Sequence, residues 1–301
     1  MNRPESLCRT IGYLEKSSNI PDEVIVVDQS QDMDVAERVR DTCRCTNLNV
    51  IYKWNDEPSL TKARNTGYSL AKGDIIVFMD DDVDVDVDTL ENAKRLFADD
   101  SIAMVGGVSG SLKHDIKLSS VIFGRTSFHR RKKGHVTKAV YGRFPLCTEE
   151  YTESEWAMGF LFCVRKELMD RWEIRFDETL RYYAYAEDLD FSYRYYKCAH
   201  KENLRCLISS LLHVKHNVST EYRTPARRHV FMHSVHRWYL SKKLFNSFIS
   251  QLMVFWADMG YMAFRFIRKE SVRDNWDAIK FCIRYRKDII NGNLHYLDYM
   301  Q

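Results

Sequence analysis

An apolar segment that ends abruptly in three adjacent carboxylates constrains this chain more than any other feature. Residues 75–79 read Ile-Ile-Val-Phe-Met, and Asp80, Asp81 and Asp82 follow at once. The β-branched run is typical of a buried strand. Neighbouring carboxylates repel one another, and oxygen ligands of this kind suit a hard divalent ion such as Mg²⁺ or Mn²⁺. A metal-dependent site at the end of a strand is therefore one interpretation, and a solvated acidic turn is the alternative.

The first hundred residues alternate between the periodicities of strands and helices. Strand patterns cover residues 23–27, 49–53, 74–80 and 102–108, and helical patterns cover residues 4–18, 35–42, 59–72 and 88–98. This alternation predicts an α/β fold with a parallel sheet wound by right-handed crossovers. Asp28 and Asp80 each end a predicted strand. Both carboxylates are therefore expected on one rim of the sheet, where a nucleotide would lie between them.

Composition narrows the class of partners and the cellular location. The 301 residues are 45% apolar and 29% charged, which is typical of a globular chain with a sizeable core. A formal charge of +3 gives no general case for nucleic-acid binding. The eight cysteines are scattered without metal-site spacing, and the N-terminus has no signal-peptide pattern. We therefore expect reduced thiols, no nucleic-acid partner and a cytoplasmic location.

Three short segments carry a resemblance to a known family. They are Val-Val-Asp-Gln-Ser at 26–30, Ala-Arg-Asn-Thr-Gly at 63–67 and Phe-Met-Asp-Asp-Asp at 78–82. In order and spacing they resemble the nucleotide-sugar half of family-two glycosyltransferases, which have the GT-A fold. The resemblance implies a mostly parallel, Rossmann-like sheet flanked by helices. It also implies a nucleotide-diphosphate sugar as the donor substrate.

The resemblance assigns donor-side roles to particular residues. Asp28 would hydrogen-bond the nucleobase, and Arg64 would approach the base or the diphosphate. Asp80 and Asp82 would form the Asp-x-Asp pair that holds the ribose and a divalent ion, Mn²⁺ or Mg²⁺. The chemistry agrees, because a carboxylate accepts from a base N–H and an arginine fork suits phosphate. The predicted donor-binding residues are Asp28, Arg64, Asn65, Asp80 and Asp81.

Two of these residues have ordinary structural alternatives. Arg64 would otherwise form a surface ion pair with Glu57 or Asp56. Asn65 would otherwise join its helix to the sheet through a hydrogen bond.

The start of the chain departs from the family pattern. In the family a strand precedes a segment of the Asn-Arg-Pro-Glu-Ser-Leu type, whereas here Met1 directly precedes that segment. The family places this strand between the strands that here end in Asp28 and Asp80. Its omission would leave a gap of about two strand spacings, on the order of 10 Å, with unpaired backbone on both sides. A start site placed too late or a trimmed chain is the expected explanation.

The second half carries a segment that the resemblance links to the acceptor. Residues 155–168 resemble the family's acceptor-side segment, in which a Trp and a Gly precede a strand and then a helix. Trp156 would offer a flat apolar face to a sugar ring, with Gly159 beside it. Core packing of Trp156 is an equally weighted alternative.

A second acidic cluster opens a predicted helix within residues 185–194. Acids in a first helical turn are favoured by the helix dipole, which is the structural interpretation. The resemblance instead makes Asp188 the catalytic base and Glu187 an acceptor-orienting residue. It also implies a histidine that contacts the metal or a phosphate. In the family this histidine follows the base at a typical interval, which His213 fits better than His216. The predicted metal ligands are Asp80, Asp82 and His213.

From Pro225 onward the chain becomes basic and aromatic. Residues 227–243 predict a basic amphipathic helix, and residues 244–267 are largely apolar. Asp258 and Arg265 interrupt this apolar stretch and make a membrane-spanning helix costly. An interfacial helix pair on the inner membrane face and a helical cap on the sheet are equally weighted alternatives.

These observations predict three regions and one activity. Residues 1–110 form the nucleotide-sugar-binding half, 111–222 the half that holds the acceptor and the base, and 223–301 a basic, aromatic helical extension. By the resemblance, the protein is an inverting, metal-dependent glycosyltransferase that acts on a saccharide or a lipid-linked saccharide, with the inner-membrane surface as a further partner. A truncated, inactive nucleotide- or saccharide-binding protein is the alternative. A nucleotidyltransferase or dehydrogenase is disfavoured, because the chain lacks a glycine-rich phosphate loop and Gly-x-Gly-x-x-Gly.

Overall fold

A computed structural model describes residues 3–217 and 226–294. A six-stranded sheet lies at the centre of the fold, with helices around it. The strands are β1 (Val24–Asp28), β2 (Val50–Trp54), β3 (Ile75–Met79), β4 (Val83–Val85), β5 (Ile102–Ser109), β6 (His135–Val136), β7 (Gly142–Arg143), β8 (Thr152–Glu153), β9 (Leu161–Arg165) and β10 (Arg205–His216). The helices are α1 (Pro4–Leu14), α2 (Met33–Arg44), α3 (Leu60–Leu70), α4 (Thr89–Phe97), α5 (Leu118–Ile122), α6 (Lys166–Arg171), α7 (Glu187–Lys201), α8 (Ala226–Phe245), α9 (Phe248–Ile267), α10 (Arg273–Arg284) and α11 (Arg286–Ile290).

The larger sheet has six strands of mixed direction. Its order is β3-β9-β5-β10-β4. The short strand β8 pairs with Leu207 and Ile208 near the start of β10. The pairing of β5 with β10 is parallel, whereas β9 runs antiparallel to both β3 and β5. The predicted α/β architecture of a sheet flanked by helices is therefore confirmed. The sheet is less parallel than predicted, because β9 from the second half of the chain lies between two strands of the first half.

A separate two-stranded parallel sheet holds the first acidic strand end. Its strands β1 and β2 pair with Asp28 opposite Trp54. Within the described residues β1 is not hydrogen-bonded to β3, so the chain has two sheet edges where the resemblance places a further strand. A small cavity of about 60 Å³ lies there, lined among others by Arg3, Val27 and Asp81.

The helix that carries Arg64 is fixed at its start by side chains. Ser59 is the N-cap of α3, and its hydroxyl accepts from the Lys62 N–H. The Thr61 hydroxyl donates to the Leu180 carbonyl at 3.0 Å, which ties this helix to the segment before α7. Arg64 lies one turn further along and points toward the larger sheet, where it contacts Asp80 at its edge.

The C-terminal helices share a core with the second half of the chain. Phe231 and Val235 of α8 are buried in one cluster with Leu180 and Leu189, which flank the start of α7. The helical extension is therefore present, and its first helix packs on the central domain. Among the described residues, none of the helices combines the length and the apolarity needed to cross a bilayer. The predicted beginning of the extension at residues 223–225 lies outside the described residues.

Candidate active site

Two carboxylates and an imidazole converge where β3 and β10 end. Asp80, Asp82 and His216 can each offer one ligand atom, and these atoms lie within 4.8 Å of one another. His216 Nε2 is 3.2 Å from Asp82 Oδ1. The antiparallel register of β10 with β4 places His216 opposite Val83, next to Asp82 in the chain. A carboxylate, carboxylate and imidazole set is a suitable donor set for a divalent ion such as Mn²⁺.

The structure brings His216, rather than the predicted His213, to these carboxylates. His213 Nδ1 lies 2.8 Å from Asp86 Oδ2 on the exposed side of the strand. Successive side chains of a strand point to opposite faces, and Leu212 and Val214 are buried. His216 continues that inward set and His213 does not. The alternation of Leu212, Val214 and His216 is the local signal for this inward set, and only the pairing of β10 with β4 shows that it reaches Asp82.

Burial and neighbouring groups shift the pKa of two of the three candidate ligands, Asp80 and His216. Burial raises the pKa of Asp80 to about 6, and the nearby Asp82 and Asp81 act in the same direction while Arg64 opposes it. A hydrogen bond with Asp82 raises the pKa of His216 against the effect of burial. A cation bound to these atoms would therefore have to displace protons.

Arg3 supplies a positive charge to the carboxylate cluster that the sequence interpretation did not find. Its Nη1 donates to Asp81 Oδ1 at 2.9 Å and to Asp82 Oδ2 at 3.1 Å. The Thr10 hydroxyl of α1 donates to the Asp81 carbonyl at 2.9 Å. No short motif marks such a residue, because the contact joins positions almost eighty residues apart.

Arg64 joins the carboxylate cluster to the start of α7. It is buried, and its Nη2 donates to Asp80 Oδ1 at 3.1 Å and to the Gly159 carbonyl at 2.9 Å. Its Nη1 lies 2.7 Å from Glu187 Oε1. The surface ion pair considered for Arg64 is not formed, since Glu57 pairs with Lys62 instead. The guanidinium therefore lies between the two acidic clusters that the sequence singled out.

The Gly159 peptide connects Arg64 with the predicted base. Its N–H donates to Asp188 Oδ2 at 2.8 Å, and its carbonyl accepts from Arg64. A Cβ at this position would lie 2.9 Å from Arg64 Nη2 and 3.3 Å from Asp188 Cβ. Glycine is therefore required for this close approach of backbone and side chains.

The two acids at the start of α7 have different environments. Asp188 also accepts from the Leu189 N–H at 2.7 Å, and burial raises its pKa against Arg64 and these two backbone donors. Burial raises the pKa of Glu187 well above its usual value, and Asp188 and Asp80 add to this rise. A carboxyl with a raised pKa is suited to proton transfer near neutral pH.

Backbone strain is concentrated immediately before these acids. Tyr182, Ala184 and Ala186 have φ values of 59°, 51° and 66°, in the left-handed region that non-glycine residues rarely adopt. Each such residue costs on the order of 1 kcal/mol, and this cost is typically retained at functional sites. The strain thus supports a functional role for the turn that presents Glu187 and Asp188.

Asp28 lies at the end of β1 with its carboxylate already engaged. It accepts from the Ser30 N–H at 2.9 Å, from the Ser30 hydroxyl at 2.7 Å and from the Tyr52 hydroxyl at 3.1 Å. Burial, with Asp28 as a further cause, raises the pKa of Tyr52 to about 12, so Tyr52 stays a donor at neutral pH. The Asp28 carboxylate is therefore held rigidly in place, and its contact with a nucleobase stays a prediction.

Two predicted site residues have their side chains engaged elsewhere. Asn65 Nδ2 donates to the Phe176 carbonyl at 3.0 Å, and its Oδ1 accepts from the Phe176 N–H at 2.9 Å. Trp156 is 4% exposed, and its Nε1 donates to the Arg143 carbonyl at 3.1 Å. Asn65 thus has a structural role, but it joins α3 to the loop between α6 and α7 and not, as its alternative had predicted, to the sheet. Trp156 is a core residue whose ring faces are covered, so it offers no platform to a sugar.

The fold is that of a GT-A glycosyltransferase domain. Residues 1–156 match the profile of the family described as Glycosyl transferase family 2. Because this match covers more than half of the chain, the protein belongs to that family. No curated protein sequence matches the chain.

Solved structures agree with this fold. The mannosyltransferase PcManGT from Pyrobaculum calidifontis, in complex with GDP-Man and Mn²⁺, has a TM-score of 0.54 at 15% identity, and the match covers 97% of this chain and 81% of that one. TarS 1–349 from S. aureus, in complex with UDP-GlcNAc, has a TM-score of 0.53 at 16% identity, with 99% and 80% covered. GalNAc-T7 with UDP, GalNAc and Mn²⁺ has a TM-score of 0.56 at 17% identity, with 92% of this chain and 54% of that chain covered.

Proposed function

We propose that this protein transfers a sugar from a nucleotide-diphosphate sugar to an acceptor hydroxyl with inversion at the anomeric carbon. The observation that carries this proposal is the pair of acidic clusters bridged by one buried cation. Arg64 contacts Asp80 on one side and Glu187 on the other, and Asp188 lies beside it. Residues 1–110 are assigned to the donor and residues 111–222 to the acceptor and the base.

The donor set of Asp80, Asp82 and His216 fits a divalent ion, for which Mn²⁺ is our first choice. All three side chains are polar ligands within 4.8 Å of one another, and the imidazole nitrogen makes the set better suited to Mn²⁺ than to Mg²⁺, which prefers oxygen ligands. When bound, the ion would neutralise negative charge on the departing nucleoside diphosphate. Arg64 and Arg3 lie on two sides of these carboxylates and add positive charge to the same region.

The chemical step assigned to this chain is a proton transfer to Asp188. As the acceptor oxygen forms its bond to the anomeric carbon, its proton passes to the Asp188 carboxylate. The bond between that carbon and the diphosphate oxygen breaks on the opposite face, and the electron pair leaves with the diphosphate. Glu187 orients the acceptor, and the Gly159 N–H keeps one Asp188 oxygen in place at 2.8 Å.

Calorimetric titration of UDP, GDP and dTDP, with and without Mn²⁺, tests the donor site. We expect one nucleotide to bind in a Mn²⁺-dependent manner and expect Asp82→Ala to abolish that binding. His216→Ala and His213→Ala form a matched pair, since the first removes a candidate ligand and the second removes an exposed partner of Asp86. Equal binding by both histidine variants, or no nucleotide binding by the folded protein, would refute the assignment.

A donor-hydrolysis assay separates the enzyme from the inactive binding protein. An enzyme with this site should slowly transfer the sugar to water when no acceptor is present. Nucleotide binding without any hydrolysis or transfer would favour the binding protein.

We further propose that the chain attaches peripherally to the inner membrane face through an apolar surface on α5 and α9. Ile249, Leu252, Trp256 and Ile267 are exposed and recur on one side of α9. Trp256 Nε1 donates to the carbonyl of Ile122, itself an exposed residue of α5. Exposed apolar residues of the two helices therefore adjoin one another.

Basic side chains next to this apolar surface favour an anionic bilayer as its partner. Lys117 directly precedes α5, and the Lys138 carbonyl accepts from Ser250 in α9. Both lysine side chains are exposed. An apolar surface with a tryptophan and flanking lysines is typical of interfacial binding.

Flotation with phosphatidylglycerol-containing and with neutral vesicles tests this attachment. We expect binding to the anionic vesicles, with loss in Leu252→Glu and little change in Ile283→Glu, an exposed apolar position on α10. Equal flotation of both variants, or dimerisation of the free protein through this surface, would contradict the membrane assignment.

A further inference from the structure

A cavity of about 300 Å³ opens beside the candidate metal ligand His216. His216 and Phe160 form one wall, and their rings stack with centroids 5.6 Å apart at 28°. His114 and Phe144 form another wall, with centroids 5.2 Å apart at 25°. The cavity is thus bounded by two stacked pairs of aromatic rings.

Hydroxyl groups and a constrained turn complete the lining. Ser109 and Ser111 line the cavity where β5 ends, on either side of Gly110 with φ +73°. The Ser109 hydroxyl accepts from the His216 N–H at 3.0 Å. The His114 N–H donates to the Leu146 carbonyl at 2.8 Å, which holds this turn against the segment that carries Phe144.

The cavity adjoins the proposed base through a single short segment. Met158 and Phe160 line it, and Gly159 between them donates to Asp188 and accepts from Arg64. The cavity therefore has the candidate metal ligand His216 in its wall, and the segment that lines it also holds the residue proposed to take a proton. Met158 and Phe160 belong to the segment that the resemblance links to the acceptor, whereas His114, Phe144 and the two serines were not singled out by the sequence.

We propose that this cavity binds a pyranose ring of the acceptor and presents one of its hydroxyls to Asp188. Aromatic faces pack on the C–H faces of a sugar, and the serine hydroxyls and His114 can exchange hydrogen bonds with its O–H groups. A volume of about 300 Å³ is at the lower end of ligand pockets, which suits a sugar ring rather than a whole nucleotide. This assignment rests on the proposed function, because Asp188 gives the ring its orientation.

Saturation-transfer difference NMR with methyl glycosides tests the cavity directly. The probes are the methyl α- and β-glycosides of glucose, galactose, mannose and N-acetylglucosamine at millimolar concentration. We expect at least one probe to give a signal with the wild-type protein. That signal should fall at least fivefold in His114→Ala and in Phe144→Leu, which keeps an apolar side chain but removes the ring.

His200→Ala is the matched control. His200 is an exposed histidine of α7 that stacks on Tyr196 at 5.5 Å, outside the cavity lining. This variant should keep the wild-type signal. Absence of a signal from every probe, or equal signals from His114→Ala and His200→Ala, would overturn the cavity assignment.

Nucleotide titration distinguishes a failure of this inference from a failure of the proposed function. Mn²⁺-dependent nucleotide binding without glycoside binding would overturn the cavity assignment and leave the donor site intact. Glycoside binding that depends on His114, together with no nucleotide binding, would support the saccharide cavity and refute the transferase.

Discussion

Two buried arginines show how differently this chain uses the same residue. Arg237 in α8 is 0% exposed, and its Nε and Nη2 donate to the Ala139 carbonyl at 3.0 and 2.8 Å. Its Nη1 pairs with Asp258, and its guanidinium lies 4.0 Å from the centre of the Tyr141 ring. Arg64 is also buried but lies among Asp80, Glu187 and Asp188.

The difference between the two arginines is one of charge balance. Arg237 contacts one carboxylate and one backbone carbonyl, and two further cations, Arg125 and Arg143, lie over the same Tyr141 ring, so the Asp258 carboxylate does not lack positive charge. Around Arg64 the acids outnumber the cations, because five carboxyl groups lie near two arginines and one histidine. The acids are Asp80, Asp81, Asp82, Glu187 and Asp188, and the basic residues are Arg3, Arg64 and His216. The buried Arg237–Asp258 pair is explained by folding alone, whereas an excess of clustered, partly buried carboxyls has a folding cost and indicates a site that awaits a cation or a proton.

The strongest test of this contrast replaces an acid in each region. Asp188→Asn should lower the transfer rate by about 10²–10⁴-fold, because the amide cannot take the proton. Nucleotide binding with Mn²⁺ should be retained, since Asp188 is not a candidate metal ligand. Steady-state kinetics and calorimetry on the same preparation provide both measurements.

Asp258→Asn is the matched control in the helical extension. It should lower the free energy of unfolding while the folded fraction keeps its specific activity. A comparable loss of activity in both variants would mean that the two regions are not functionally distinct.

The second test unbalances the pair around Arg237. Arg237→Leu leaves the Asp258 carboxylate buried without its cation and should lower the free energy of unfolding by about 3–5 kcal/mol. The double variant with Asp258→Leu should recover much of this loss. Urea unfolding of the wild type and both variants measures these free energies. A loss below about 1 kcal/mol in the single variant would show that Asp258 does not depend on Arg237 for its charge balance.

The third test adds a cation to the unbalanced site. At neutral pH, Mn²⁺ at a hundredfold excess over its Kd should raise the free energy of unfolding by about 2.7 kcal/mol. The affinity should fall as the pH drops through about 6, because Asp80 is then protonated, and protonated His216 must also release its proton. Thermal melts across pH 5–8 measure this effect. Equal protection of Asp82→Ala, or protection that does not change with pH, would place the ion elsewhere.

Local patterns in the sequence predicted the elements and most acids of the site. The strand before Asp80, the helix that carries Arg64 and the acidic start of α7 all lie where periodicity and the resemblance placed them. These features depend on neighbours within a few residues. The confirmed family and α/β fold follow from the same short segments.

Contacts between distant parts of the chain explain what the sequence did not predict. His216 reaches Asp82 through the register of β10 against β4, and Arg3 reaches the same carboxylate from α1. The insertion of β9 between β3 and β5 gives the sheet its mixed directions. For Trp156 the sequence left core packing and sugar contact open, and Gly142 and Phe144 decide for the core because they pack against its ring. Each outcome depends on pairing or packing partners that no local pattern specifies.

The smallest expected effect separates a structural residue from the donor site beside it. Asn65 follows Arg64 in the chain, yet its side chain donates to and accepts from the backbone of Phe176. Asn65→Ala should lower the free energy of unfolding by about 1–2 kcal/mol, because two backbone groups lose their partner. It should leave Mn²⁺-dependent nucleotide affinity unchanged, whereas Arg64→Met should reduce it. If Asn65→Ala weakens nucleotide binding tenfold without changing stability, Asn65 belongs to the donor site after all, and the boundary between the balanced scaffold and the unbalanced site lies one residue further along α3.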